Sequence, residues 1–315
     1  MKRGELRERI ITCFGRMPRK VDLNPVVEQV ERREGLRIER VTYQSDAEER
    51  VPAYVLVPEK GPPNPAIVAI HQHAGQFYIG KSEPTGLGGD ADYHYALELC
   101  HRGYLTIAID LKCFEERRPP EFKRVENSSL ADGWYERFVA MNLILEGKTL
   151  QGRYVFDLSR AVDYLYTRED VDQERIGAIG HSLGGQETVF MMLYDERVKV
   201  GVSSCGIGTW STIIRHEVGH NFAAYLPGIL NLCDHDELVG CIAPRPLLIS
   251  AGERDVIFPI DGVRKIAEVA RKAYEELGYG ERFELSVYPG GHGFPKAERE
   301  KAYHWFDRWL RSESA

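Results

Sequence analysis

The chain of 315 residues is long enough to bury a large core without help from disulfides. Its 43% hydrophobic and 28% charged residues are the composition of a soluble globular protein, and a formal net charge of −7 gives no reason to expect nucleic acid or a membrane as partner. The N-terminus is charged where a signal peptide would be apolar, and no run reaches the length of a membrane span. The six cysteines (Cys13, Cys100, Cys113, Cys205, Cys233 and Cys241) contain no Cys-x-x-Cys pair. Free thiols in a reducing compartment are the expectation, and with them a cytoplasmic location.

In chain order, residues 1–30 read as a helical extension. Strand-like runs at 36–43 and 51–57, separated by a polar turn at 45–49, predict an antiparallel hairpin. Past the Gly/Pro-rich loop 61–65 the pattern changes to short apolar strands at 66–70, 105–109, 176–179, 198–202, 247–250 and 283–287. Helical stretches alternate with them near 92–102, 151–167, 186–195, 261–277 and 296–310. Such alternation predicts one α/β domain over residues 1–315, a mostly parallel twisted sheet covered by helices on both faces. The connections 111–150 and 204–243 are too long for simple crossovers. They are expected as short lid insertions over an active site at the strand ends.

Gly180-His181-Ser182-Leu183-Gly184 fits Gly-x-Ser-x-Gly, with a strand-like run before it and a helix-like run after it. In that context the serine sits on a tight strand-to-helix turn, and small residues on either side let the backbone approach itself. A serine hydroxyl is a poor nucleophile until a base removes its proton, and imidazole has a suitable pKa near neutrality.

Two other motifs compete for attention. His216-Glu217-Val218-Gly219-His220 fits His-Glu-x-x-His, which on a helix would hold zinc with Glu217 as base. A third ligand is hard to find, with His235 and Glu237 the remaining candidates, and the segment lies inside an insertion already accounted for. Gly86-Leu87-Gly88-Gly89-Asp90-Ala91, with Asp110 beyond, resembles a dinucleotide fingerprint, but no strand leads directly into it. A glycine-rich loop is the better reading.

Over residues 36–310 the chain resembles the α/β-hydrolases, especially dienelactone-hydrolase-like esterases, which order their site as serine, acid, histidine. The resemblance implies Asp255, after the strand-like 247–250, as the acid and His292, in Pro289-Gly290-Gly291-His292-Gly293-Phe294, as the base. Asp234 and Asp236 stay open as substitute acids. It also implies an oxyanion hole from the backbone N–H groups of Leu183 and His73, although many esterases have His-Gly-Gly where this chain has His71-Gln72-His73. Dienelactone hydrolases use a cysteine nucleophile; the serine here shifts the expectation to ordinary ester hydrolysis.

The expected function is therefore a serine hydrolase that cleaves carboxylic esters through an acyl-enzyme, a carboxylesterase or acetyl esterase on small-molecule substrates, with no cofactor and no metal. A peptidase or thioesterase on the same fold is the alternative, a zinc hydrolase through His216, Glu217 and His220 a remote one, and a non-catalytic binder the reading from another class. The pH–rate limb is expected at an apparent pKa of roughly 6–7.5. Aromatic residues in the loops (Phe77, Tyr78, Phe114, Trp134, Tyr135, Trp210, Phe222, Tyr225) are candidates for pocket walls, and Arg117, Arg118 and Arg215 for holding a carboxylate.

Overall fold

Successive residues of a strand point to opposite faces of its sheet, and strand β4 (Asn64–Ile70) shows what this does to the core. Ala66, Val68 and Ile70 pack into one apolar cluster, and Ile67 and Ala69 into another on the opposite face. A strand buried on both sides needs a continuous apolar run, as this sequence supplies. The computed structural model describes residues 1–59, 61, 63–118 and 132–311.

The other strands are β1 (Val26–Arg33), β2 (Leu36–Gln44), β3 (Arg50–Pro58), β5 (Leu105–Ile109), β6 (Val171–His181), β7 (Val200–Ser204), β8 (Leu247–Gly252) and β9 (Phe283–Tyr288). They form one nine-stranded sheet in the order β1-β2-β3-β5-β4-β6-β7-β8-β9. The β2–β3 hairpin is antiparallel as expected, and from β5 to β9 every neighbouring pair is parallel. Helices α1 (Arg3–Thr12), α4 (Leu150–Leu165), α5 (Leu183–Tyr194), α7 (His235–Gly240) and α8 (Ile260–Glu276) contribute to the larger core. Helices α2 (Tyr95–His101) and α9 (Lys296–Phe306) cover the other face. The two long insertions carry α3 (Asp132–Leu145) and α6 (Trp210–Arg215), the second also containing α7. Chain order reverses around β4, since β5 lies on one side of it and β6 on the other. A crevice opens at the strand C-termini of such a switch point, where ligands bind in doubly wound sheets.

The N-terminal expectation is corrected in part. Only Arg3–Thr12 of residues 1–30 is helical, and β1 begins at Val26, just after Asn24 in a left-handed conformation and Pro25. A proline disfavours helix at the residue before it. All eight residues of β1 are exposed, so the strand has no buried face to give it a period. Backbone pairing with β2 specifies it instead. Among the described residues no helix is long and apolar enough to cross a membrane, and all six cysteines are free.

A buried ion cluster holds the start of the first insertion. The fully buried Asp157 of α4 accepts from Arg117 at 2.7 Å, from Arg153 Nε at 2.9 Å and from Ser45 in the hairpin turn at 2.5 Å. Arg117 also donates to the Asp110 carbonyl at 3.0 Å, which ties the loop after β5 to α4. Burial would raise the Asp157 pKa, but the two guanidiniums hold it below the usual carboxylate range. Asp157→Asn leaves two buried cations short of an anion, and we expect a loss of about 3–5 kcal/mol in chemical denaturation. An unchanged midpoint would show that the cluster contributes nothing to stability.

Candidate active site

The turn after β6 is built by steric necessity. Ser182 has φ 55° and ψ −117°, a region that a residue with a side chain occupies only under constraint, at a cost of about 1–3 kcal/mol. Its N–H donates to the Ser204 carbonyl on β7 at 2.8 Å, and its carbonyl accepts from Gln186 N–H at 3.0 Å. A Cβ on Gly180 would overlap the backbone of Gly184, and one on Gly184 would overlap the carbonyl of Ile70 at the end of β4. Helix α5 starts at the next residue, so Ser182 lies at the head of a helix and the end of a central strand.

Two loops from strands β8 and β9, further along the sheet, meet it. His292, after β9, places Nε2 2.9 Å from Ser182 Oγ and Nδ1 2.8 Å from Asp255 Oδ2. Asp255, in the turn after β8, is buried, and its Oδ1 accepts from the N–H groups of Ile257 at 2.8 Å and Phe258 at 3.1 Å. Those amides fix the carboxylate independently of the imidazole. With Nδ1–H donating to Asp255, Nε2 of the neutral ring accepts from the Ser182 hydroxyl.

Burial alone would raise the pKa of Asp255 and lower that of His292. The opposite happens to both. The hydrogen bond with His292 and the two amides hold Asp255 below its ordinary value. Asp255, together with the Cys205 sulfur, lifts His292 to about 9. That is above the range of 6–7.5 anticipated from sequence, because the sequence does not place the Cys205 sulfur beside the ring.

Cys205 and His181 are neighbours the sequence did not flag. Cys205 follows β7, and its Sγ, an Asp255 oxygen and a His292 nitrogen all lie within 4.8 Å of one another. Its sulfur also meets Tyr288 OH at 3.2 Å. The usable signal was position: the residue after each parallel strand lands in the same crevice. His181 is fully buried, stacks on Tyr93 at 4.9 Å between ring centres, and stands 4.9 Å from the His292 ring. Burial first, and the neighbouring His292 second, keep it neutral.

The amide of Leu183 opens α5, where first-turn N–H groups have no acceptor within the helix. His73 lies three residues beyond β4. Its Nδ1 accepts from Gly75 N–H at 3.0 Å, so Nε2 carries the proton and donates to Glu136 of α3 at 3.1 Å. Phe77 and Phe114 pack on the same ring, with centroids 4.9 and 5.3 Å away.

The competing motifs do not assemble. Helix α6 ends at Arg215, and Glu217 is left-handed at φ 54°, so residues 216–220 present no helical face on which two histidines four apart would converge. His216 lies near Asp261, while His220 packs 4.7 Å from Phe258, beside the acid turn. Asp110, the would-be ribose acid, is buried against Lys81 at 2.9 Å. Asp234 accepts from the amides of Trp210, Ser211 and His235, and Asp236 pairs with Lys265, so neither reaches His292. Arg117 belongs to the buried ion cluster, Arg118 bonds the Glu115 carbonyl and Arg215 pairs with Asp261.

The chain belongs to the dienelactone hydrolase family, whose model matches residues 51–311. YtaP of Bacillus subtilis (strain 168), a hydrolase by name, is 30% identical over 315 residues, covering 98% of this chain and 100% of that one. A glucuronoyl esterase from Solibacter usitatus superposes with TM-score 0.71 at 16% identity, over 97% of this chain and 91% of that one. Acetyl xylan esterase 1 from Thermoanaerobacterium sp. JW/SL YS485 gives 0.62 at 15% identity, over 98% and 93%. These structures share the α/β-hydrolase fold with this chain, which is a hydrolase by family.

The raised pKa of His292 is directly measurable. A base with a raised pKa keeps its proton to higher pH, so imidazole NMR should show His292 titrating well above 6.5, towards 9. Asp255→Asn should bring that midpoint down. A midpoint at or below 6.5 in the unaltered protein would contradict the charge balance described above.

Proposed function

We propose that this protein is a serine esterase in which Ser182 is the nucleophile, His292 the general base and Asp255 the group that orients and charges the base. One observation carries the reading: an unbroken hydrogen-bonded chain of 2.9 and 2.8 Å through three side chains on three separate loops. A structural role for any one of these residues does not require the other two.

The chemistry then follows. Ser182 Oγ bonds to the ester carbonyl carbon as its proton passes to His292 Nε2, and the carbonyl π pair moves onto oxygen. The backbone N–H groups of Leu183 and His73 are our candidates for holding that oxyanion. Collapse of the adduct breaks the ester C–O bond, and the leaving alkoxide takes the proton from Nε2. Water repeats the sequence on the acyl-serine and releases the acid. Asp255 keeps its negative charge throughout and stabilises the imidazolium.

We read the whole chain as one hydrolase domain, with insertion 204–243 and the described parts of insertion 111–150 as walls of the substrate entrance; residues 119–131 of the latter lie outside the described residues. Support comes from Glu136 of the first insertion, bonded to His73, and from His220 of the second, packed on Phe258, which in turn stacks 6.0 Å from His292. For the substrate we propose small carboxylic esters. Acetyl esters are the first class to test, because the names of structural neighbours include acetyl xylan esterases.

Ser182→Ala should abolish fluorophosphonate labelling and lower kcat by on the order of 10⁵–10⁶. A variant that still turned over acetyl esters at near-normal rate would end this reading. Because His292 must be neutral to accept a proton, its raised pKa places the rising limb of kcat/KM above the ordinary imidazole value, displaced towards pH 9. Asp255→Asn should cost about 10⁴ in kcat and move the remaining limb down. A limb near 6.5 in both proteins would separate Asp255 from the base.

A further inference from the structure

Helix α3 presents two unlike faces. Inward, Glu136 and Ala140 are buried, and Glu136 bonds His73. Outward, Trp134, Phe138, Met141 and Leu145 recur at helical spacing. A surface helix normally turns such a stripe to the core; this one turns it to solvent. The stripe continues into the second insertion, where Ile144 of α3 lines a groove of about 390 Å³ with Trp210, Ile214, Tyr225, Ile229 and Leu230. The four stripe residues, with Ile144, Ile214, Tyr225 and Leu230, are each between 41 and 86% exposed.

We propose that this face is the interface of a two-fold homodimer. Size is the first argument. Three of the eight are aromatic, each offering roughly 150–250 Å² when whole, and with the five smaller apolar chains the patch exposes on the order of 800 Å², about what each partner contributes to a standard-sized interface. Shape is the second. Leu145, the most exposed of the eight, follows directly in the chain on Ile144, which lines the groove. A two-fold contact needs a patch that complements itself, and a knob next to a hole lets each Leu145 enter the other copy's groove.

Charge is the third argument, and it selects a protein over a lipid surface. A helix lying on a membrane carries a polar face rich in Lys and Arg. Helix α3 has a single cation, Arg137, which covers the Trp134 ring at 5.3 Å, against Asp132 and Glu136. The nearby Lys148 is paired with Glu146 at 2.5 Å.

Sedimentation velocity on the full chain at about 50 µM should report twice the 35.9 kDa chain mass, since interfaces of this size hold at about 1 µM or tighter. Leu145→Asp and, separately, Ile214→Asp should each halve that mass while leaving circular dichroism and thermal unfolding near the parent values. Val30→Asp, on the exposed strand β1, should leave the dimer intact. Three results would overturn the proposal: a 35.9 kDa species at about 50 µM, a dimer that survives either Leu145→Asp or Ile214→Asp, or a dimer lost through Val30→Asp. Binding of the monomer to anionic vesicles would do so as well, by assigning the face to lipid.

Discussion

One backbone crossing sets the geometry of the whole crevice. Strand β6 must become helix α5 within a single residue, and that residue must carry a side chain at a φ favouring glycine. The turn closes only because Gly180 and Gly184 lack a Cβ and because the end of β4 lies against Gly184. The position of Ser182 is thus coupled to β4, β6 and β7 at once. Its strain of a few kcal/mol at most is small beside the burial of the two apolar layers that hold those strands in register.

Environment rather than residue type decides which histidine is charged. His71, His181 and His220 lie within or beside the same crevice, and burial lowers the pKa of all three, His71 and His220 to about 4. His292 is also largely buried, yet it alone of the four faces a carboxylate already anchored by two amides, and its pKa rises. Desolvation makes an unpaired imidazolium costly, and the same low dielectric makes the paired one favourable. Burial therefore favours the neutral form of three rings, while pairing with Asp255 lets the fourth keep its proton to higher pH.

Most of the parallel half of the fold was legible in the sequence because β4, β5, β7, β8 and the last part of β6 are buried on both faces, which calls for apolar runs with glycine, proline or polar residues at their ends. Ser182 and His292 were legible because their loops need glycines, which leave a pattern around them. Asp255 was legible through chain order more than through any local motif. Strand β1 was not, since a strand exposed on both faces carries no burial period. The contact between His73 and Glu136 was hidden for another reason: it joins residues 63 apart through an insertion whose path no local signal fixes. Cys205 illustrates a third limit, because only the sheet order brings the end of β7 next to the loop after β9.

Strand β1 has a bearing on how the molecule survives at high concentration. It ends the sheet with a row of unpaired amides and carbonyls and with Val26, Val27 and Val30 in water, the features that invite another chain to add a strand. The pairing with β2 slips between Val27 and Gln29, and such an irregularity twists an edge away from a flat template. Glu28, Glu31, Arg32 and Arg33 are interspersed with the valines, so an incoming copy in parallel register would set like charges against each other. Colloidal stability at this edge therefore rests on four charges and one irregularity, and substitutions that neutralise them would promote fibrils without touching the crevice at the C-terminal ends of the central strands.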